Sequence, residues 1–168
     1  RNVVVVIANV IIMLFALFSL QRLGRASASI LRENYRSIIA ADHMIAAIER
    51  QDSALLLILA GYPQEGLTQF TRSLPDFMQW LGREKDNITI EGEAELAQGI
   101  ETGYLSYIAA SQFLLGEAQA GRGQAVGDYY HESVLPLFLR VRRTCESLRE
   151  LNQTTMYESS ERARQVAG

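Results

Sequence analysis

At 168 residues, the chain has the size of one ordinary domain and is long enough to bury a hydrophobic core. Hydrophobic residues make up 48% and charged residues 21% of the sequence, a balance that excludes intrinsic disorder. The net charge of −3 argues against a nucleic-acid partner, and the single cysteine, Cys145, excludes an internal disulfide framework.

The N-terminal part of the sequence is strongly apolar. Sixteen of the eighteen residues from 3 to 20 are apolar and none is charged. As an α-helix this run would be about 27 Å long, close to the hydrocarbon thickness of a bilayer. We therefore predict a transmembrane helix with its flank in residues 1–24, and a separate domain in residues 25–168. A cleaved signal peptide is the alternative, since residues 26–28 resemble a cleavage site.

Four stretches with the periodicity of amphipathic helices come after residue 25. The first ends at Gly61 and Pro63, where glycine can cap one helix and proline can begin the next. Pro75 lies inside the second stretch and is predicted to kink or split it. The predicted breaks between the helices lie at residues 61–63, 86–91 and 118–127.

The third helix is predicted to begin near residue 92, where Thr89 or Glu91 would cap it. Glycines at positions 121, 123 and 127 predict a flexible connection to a fourth helix that begins at about residue 128. Short connections between four amphipathic helices predict an all-α fold, an antiparallel up-down four-helix bundle preceded by one transmembrane helix.

An even number of helices brings the chain back to the end at which it started. We therefore expect a second membrane span after residue 168, in a longer protein, and an extracytoplasmic bundle. The arginines at positions 22, 25, 32 and 36 favour the opposite orientation by the positive-inside tendency. Long domains, however, cross the membrane largely regardless of such charges.

The fourth helix has the three- and four-residue spacing of a coiled coil, and its seam becomes polar from Asn152 onward. A polar seam packs weakly and reversibly, which suits a helix that transmits a signal. We predict a homodimer in which the dimer or signal helix uses four residues: Asn152, Thr155, Ser159 and Arg162.

Two carboxylates, Asp42 and Asp52, fall near the inward face of the first helix, where an unpaired charge is costly. They therefore need arginine partners or a polar pocket between the helices. The candidate ligand-binding residues are Arg36, Asp42, Arg50, Asp52, Tyr107 and Arg142. The alternative is a set of ordinary interhelical salt bridges or surface positions.

The sequence predicts no catalytic residue, no metal site and no cofactor in this segment. His131 and Pro136 have the spacing of a histidine-kinase phosphoacceptor box, but the residues between them do not fit and no nucleotide-binding segment is present. Two histidines and one cysteine do not assemble a nucleophile with its base.

Two runs of sequence resemble a known class of receptor. They are residues 33–54, which read ENYRSIIAADHMIAAIERQDSA, and residues 134–163, which begin VLPLFLRVRR. Both are similar to the sensor region of membrane-bound two-component histidine kinases, and more narrowly to the helical-bundle periplasmic domains of the alginate-regulating sensor kinase type. Four-helix chemoreceptor input domains are also similar.

This resemblance implies a periplasmic input domain anchored in the bacterial inner membrane. Its partners would be the lipid bilayer, a second copy of the chain and an unidentified small-molecule or protein signal. The parent protein would carry a kinase core that uses ATP and Mg, and would phosphorylate a response regulator. The alternatives are the ligand-binding domain of a methyl-accepting chemoreceptor and a membrane-anchored helical interaction module.

Overall fold

The protein is all-helical in a computed structural model. The structure describes the backbone of residues 2–121 and 123–167, together with the side chains of residues 7, 9–19, 29–121, 126–162, 164 and 165. No β-strand occurs in these described parts of the chain. The prediction of an all-α fold is therefore confirmed.

Five α-helices and one π-helical turn succeed one another in residues 2–121 and 123–167. In order they are α1 (Asn2–Leu59), α2 (Pro63–Lys85), α3 (Glu93–Gln119), α4 (Gly123–Tyr129), the π-helical turn (Tyr130–Val134) and α5 (Leu135–Ala167). The first two predicted breaks agree with the structure to within a residue. The third is shorter than predicted, because Gly123 and Gly127 lie in α4 rather than in a flexible connection.

The turn between α1 and α2 has the predicted glycine cap. Gly61 has a φ of 93°, in the left-handed region that favours glycine. The backbone N–H of Gly61 donates to the Ile58 carbonyl at 3.1 Å, and that of Tyr62 donates to Leu57 at 2.9 Å. These bonds satisfy carbonyls at the end of α1 before Pro63 begins the next helix.

Pro75 does not split α2, contrary to one of the two outcomes predicted for it. The helix continues past it from Pro63 to Lys85. Pro75 and Thr71, whose carbonyl loses its helical donor, are both exposed. Water can therefore solvate the freed carbonyl, and the helix tolerates the lost bond.

The hydrophobic core lies between α1, α2, α3 and α5. α1 packs along α2 and α5, and α3 packs along α5. The largest apolar side chains with no more than 1% exposure are Met44, Ile48, Leu55, Phe77, Leu81, Ile100, Leu114 and Leu148. Two ion pairs of 2.9 Å, Asp42 with Arg149 and Glu49 with Arg142, set an antiparallel register between α1 and α5.

α1 is continuous from the apolar N-terminal run into this core. The described side chains of that run, residues 7 and 9–19, are exposed, whereas those of residues 3–6, 8 and 20 lie outside the described set. Within the part of the chain that the structure describes, no helix meets the length and apolarity needed to cross a membrane.

Candidate functional site

The interior of the domain holds two groups of polar side chains. We call Gln51, Asp52, Tyr104, Tyr107 and Tyr130 the central cluster, because they lie within the hydrophobic core. We call Asn34, Ser37, Glu84, Glu93 and Asn152 the end cluster, because they lie where the α2–α3 turn meets α1 and α5. Every member of both groups is at least 92% buried.

Asp52 is the charged residue of the central cluster. Its Oδ1 accepts a 2.9 Å hydrogen bond from the hydroxyl of Tyr130, the first residue of the π-helical turn. Burial raises the pKa of Asp52, and the hydrogen bond from Tyr130 partly lowers it again. The pKa of Tyr130 is raised by burial and by the neighbouring carboxylate. The pair therefore resists ionisation of the phenol.

Gln51 connects three helices through the same cluster. Its Nε2 donates to the Ser73 carbonyl of α2 at 3.1 Å and to the Tyr104 hydroxyl of α3 at 3.0 Å. The Tyr104 ring stacks on Phe77 with centroids 3.7 Å apart, and burial raises the pKa of Tyr104 to about 12. Tyr107 is fully buried and its hydroxyl makes no hydrogen bond of good geometry, although the Ser111 side chain lies close enough to lower its pKa. These contacts position helices and supply no nucleophile.

The six predicted ligand-binding residues do not form one site. Asp52 and Tyr107 lie together in the core, where the Asp52 carboxylate helps to raise the pKa of Tyr107. Asp42 is exposed and pairs with Arg149, so it does not face inward as predicted. The partner of Asp52 is Tyr130 rather than an arginine.

The three predicted arginines lie towards solvent. Arg36 is exposed, and Arg50 forms a 3.4 Å ion pair with Asp76. Arg142 bridges Glu49 at 2.9 Å and its own helix neighbour Glu146 at 3.1 Å. The alternative of ordinary interhelical salt bridges therefore describes Asp42, Arg50 and Arg142.

Arg50 also lines an open groove of about 690 Å³ between α1 and α2. Its polar walls contain both signs of charge, with Arg50 and Arg72 beside Glu65 and Asp76. Because Arg50 already forms an ion pair with Asp76, its positive charge is partly neutralised. The groove therefore has little preference for an anionic ligand.

The end cluster contains two fully buried carboxylates, Glu84 near the end of α2 and Glu93 at the start of α3. Glu93 Oε2 accepts backbone hydrogen bonds from Thr89 at 2.6 Å and Ile90 at 3.0 Å. Thr89 is thus a donor to this turn, and the cap position of α3 belongs to Gly92 rather than to Thr89 or Glu91. Glu93 holds the α2–α3 turn together.

Glu84 has a different environment. Neither of its carboxyl oxygens makes a hydrogen bond of good geometry, although the Ser37 hydroxyl lies close enough to lower its pKa. Burial outweighs that effect, and with the nearby charge of Glu93 it raises the pKa of Glu84 to about 7. Ser37 itself accepts a 2.9 Å bond from Asn87 Nδ2, which also donates to the Glu33 carbonyl at 2.8 Å.

Two asparagines complete the end cluster. Asn34 of α1 is fully buried, and neither of its amide atoms has a partner. Asn152 of α5 donates from Nδ2 to the Leu148 carbonyl at 3.1 Å, and its Oδ1 is unpartnered. Its neighbour Leu151 packs within 3.5 Å of the position of a Cβ on Gly92, which places Asn152 beside the start of α3.

The predicted dimer or signal residues of α5 therefore divide into two groups. Asn152 is fully buried within its own chain, so it does not lie on the exposed surface of α5, and its predicted dimer or signal role stays a prediction. Thr155 and Ser159 are half-buried and Arg162 is exposed. The last three stay candidates for an interface.

Among the described residues, no group of three or more His, Cys, Asp or Glu side chains is arranged to hold a metal ion. Cys145 is buried and its pKa is raised to about 12, chiefly by burial, so its thiol is unreactive at neutral pH. His43 stacks on Trp80 with centroids 4.0 Å apart, and His131 is exposed.

Comparison with protein-family models, with characterised proteins and with solved structures gave no significant match to this chain.

The spacing of residues along α1 and α2 indicates the buried positions of two residues of the end cluster, although the composition gives no indication of them. Glu84 continues the apolar spacing of Phe77 and Leu81 along α2, one helical step further. Asn34 likewise precedes Ile38 and Ala41 on the buried face of α1. A polar residue in step with an apolar stripe therefore marks each of these buried positions.

Proposed function

We propose that the chain is the membrane-anchored input module of a bacterial transmembrane receptor, with an antiparallel four-helix bundle outside the cytoplasm. The observation that carries this proposal is the continuity of α1. This helix extends from the apolar run at its N-terminal end to Leu59 in the core. At 1.5 Å per residue it is about 87 Å long, so a rigid element connects the apolar run to the bundle.

The exposure of the apolar run supports a membrane anchor. Phe15, Phe18 and Ile12 are 72%, 65% and 65% exposed, and the run around them contains no charge. Contiguous exposed apolar surface of this kind marks a contact with membrane or with another protein. The uncharged stretch of residues 3–20 has the length that a bilayer requires.

The course of α5 supports a role in signal transfer. The Asp42–Arg149 and Glu49–Arg142 pairs hold α5 antiparallel to α1. Continued in the same register, the C-terminal turns of α5 would lie alongside the part of α1 that precedes Asn34. No described residue of α5 after Asn152 is buried. Two helices thus extend beyond the core towards the apolar run, where a shift of one against the other can be transmitted.

The input region of a two-component sensor histidine kinase is the leading form of this proposal, on the resemblance of residues 33–54 and 134–163. A homodimer in the inner membrane would pass an unidentified small-molecule or protein signal to a kinase core and its response regulator. The chemoreceptor input domain is the second form, and it differs in having methylation helices instead of a kinase core after the bundle. Autophosphorylation of the full-length gene product with ATP, or its methylation, distinguishes the two.

A topology experiment tests the proposal. Alkaline phosphatase, which folds only after export, is fused after Gly168, and membranes are washed with carbonate. The expected result is an active fusion that stays in the membrane fraction. Ile11→Arg with Phe15→Arg should release it, whereas Leu105→Arg, at a 59% exposed position of α3, should not. An inactive or fully soluble wild-type fusion would refute the proposed placement.

A further inference from the structure

The end cluster places two carboxylates in the interior without a cation. The groups facing Glu84 are the Ser37 hydroxyl on α1, Glu93 on α3 and the Cys145 thiol on α5. The basic residues on either side of Glu84 in sequence are engaged elsewhere, Arg83 over the Trp80 ring at 4.2 Å and Lys85 with Glu101 at 2.9 Å. On α5, Arg149 lies one turn after Cys145 and pairs with Asp42 at 2.9 Å. No described lysine, arginine or histidine contributes to the electrostatic environment of Glu84.

The two carboxylates cannot both carry a charge at low cost. Glu93 Oε2 accepts hydrogen bonds from two backbone N–H groups, so this oxygen has partners in the closed structure. Glu84 has no such donors, and a second negative charge beside Glu93 would be buried and uncompensated. Neutral Glu84 is therefore the form that fits the closed structure.

We propose that the end cluster is a proton-operated lock, in which proton binding by Glu84 keeps the α2–α3 turn closed against α1 and α5. Loss of the proton leaves two adjacent buried charges, so the cluster must admit water or separate. The unpartnered amide of Asn34 and the unpartnered Oδ1 of Asn152 then gain hydrogen bonds to that water. The part that opens is the junction between the core and two segments outside it, which are the part of α1 before Asn34 and the part of α5 after Asn152.

The titration range fits this role. The pKa of Glu84 is raised from 4.5 to about 7. Because the folded form binds the proton more tightly, protonation favours the folded state. The contribution of Glu84 to stability is complete below about pH 4.5 and is lost as the pH rises towards about 7, which changes the unfolding equilibrium constant by up to tenfold per pH unit. The receptor role of the lock rests on the proposed function, whereas the protonation of Glu84 does not.

The test uses the whole 168-residue chain in detergent, unfolded by heat between about pH 5 and pH 8. We expect the melting temperature of the wild type to fall with rising pH, and that of Glu84→Gln, a neutral isostere, to lose this dependence. Glu91→Gln, at an exposed position in the same turn, is the matched control and should behave as the wild type. Equal pH dependence in the wild type and Glu84→Gln would overturn the proposal.

Two further measurements keep the test decisive if Glu84→Gln folds poorly. The infrared C=O band of a buried carboxylic acid should disappear from the wild type near pH 7, and Glu93→Gln should lower that midpoint because it removes the neighbouring charge. Protection of the Thr89 and Ile90 amides against hydrogen exchange, corrected for intrinsic rates, should fall over the same range. A wild-type band that does not titrate would refute the lock.

A divalent metal ion is the alternative to a proton as the species that neutralises Glu84 and Glu93. The same samples test for it. Ca²⁺ or Mg²⁺ added at constant pH should leave the melting temperature unchanged. A rise in the wild type that is absent from Glu84→Gln would show that a divalent cation, not a proton, neutralises the pair. If Glu84 titrates as expected but the chain fails the alkaline phosphatase topology experiment, the proton-operated lock is upheld. Only its role in a receptor is then refuted.

Discussion

Gly66 of α2 lies so close to α1 that a Cβ there would be 2.5 Å from the Ala54 carbonyl oxygen and 2.5 Å from Ile58 Cγ1. One of these neighbours is backbone, so a larger residue must push the two helices apart. We expect Gly66→Ala to destabilise the domain by about 1–3 kcal/mol, the usual cost of overpacking. Urea unfolding followed by circular dichroism measures this cost.

Gly82, also in α2, provides the matched control. No heavy atom lies within 4 Å of the position its Cβ would take, and the residue is exposed. Gly82→Ala should stabilise the helix by roughly 0.5–1 kcal/mol, because alanine loses less backbone entropy than glycine. If both substitutions changed the unfolding free energy equally, close packing of α1 against α2 would not explain the need for glycine at position 66.

The bond from Tyr130 to Asp52 leads to a second prediction. Tyr130→Phe removes the donor and leaves the buried carboxylate unpartnered, at a cost of about 1–3 kcal/mol near neutral pH. The pKa of Asp52, already raised by burial, should rise further because the hydrogen bond that lowers it is lost. Since protonation favours the folded state, the destabilisation should shrink as the pH falls below the new pKa.

Tyr157→Phe is the control for that experiment, because Tyr157 is 68% exposed in α5. Its unfolding free energy should match the wild type across the same pH range. If Tyr130→Phe were as stable as Tyr157→Phe at neutral pH, water would replace the phenol hydroxyl. The Asp52–Tyr130 hydrogen bond would then contribute little to the unfolding free energy.

Periodicity predicted the helices well because their buried faces are apolar and recur every three or four residues. It also placed Asp52 correctly on the inward face. It could not find the partner of Asp52, since Tyr130 lies 78 residues away in a π-helical turn that shifts the register of the side chains around it. Arginine was the expected partner on charge alone, and the observed one is a neutral phenol.

The end cluster shows a second limit of sequence reasoning. Glutamate and asparagine are mostly surface residues, so composition gives no reason to bury Glu84 or Asn34. Their burial results from tertiary structure, because the α2–α3 turn closes over α1 at the level of Ser37 and Asn87. Asn152 was recognised as the residue from which the seam of α5 becomes polar, but its full burial by contacts of its own chain was not predicted.

The continuity of α1 predicts that the helix transmits force. Insertion of two glycines between Arg32 and Glu33 interrupts α1 before Asn34, which is the first fully buried residue among the described side chains. The unfolding free energy of the domain should change little, whereas, if the proposed function holds, the response of the full-length protein to its stimulus should be lost. The same insertion between Ala120 and Gly121, outside the long helices, should preserve the response in a reporter assay. A response that survives the first insertion would refute rigid coupling through α1.

The last prediction concerns the second subunit. Beyond Asn152, α5 buries none of its described residues, yet it keeps coiled-coil spacing at Thr155 and Ser159, which are half-buried. We therefore expect Thr155→Cys and Ser159→Cys to form disulfide-linked dimers when membranes are oxidised. The native thiol does not interfere, because Cys145 is buried and its pKa is raised to about 12. Ala109→Cys, at an exposed position of α3, is the control and should stay monomeric. Efficient linkage at position 109 with none at 155 or 159 would place the subunit interface on α3 instead of α5.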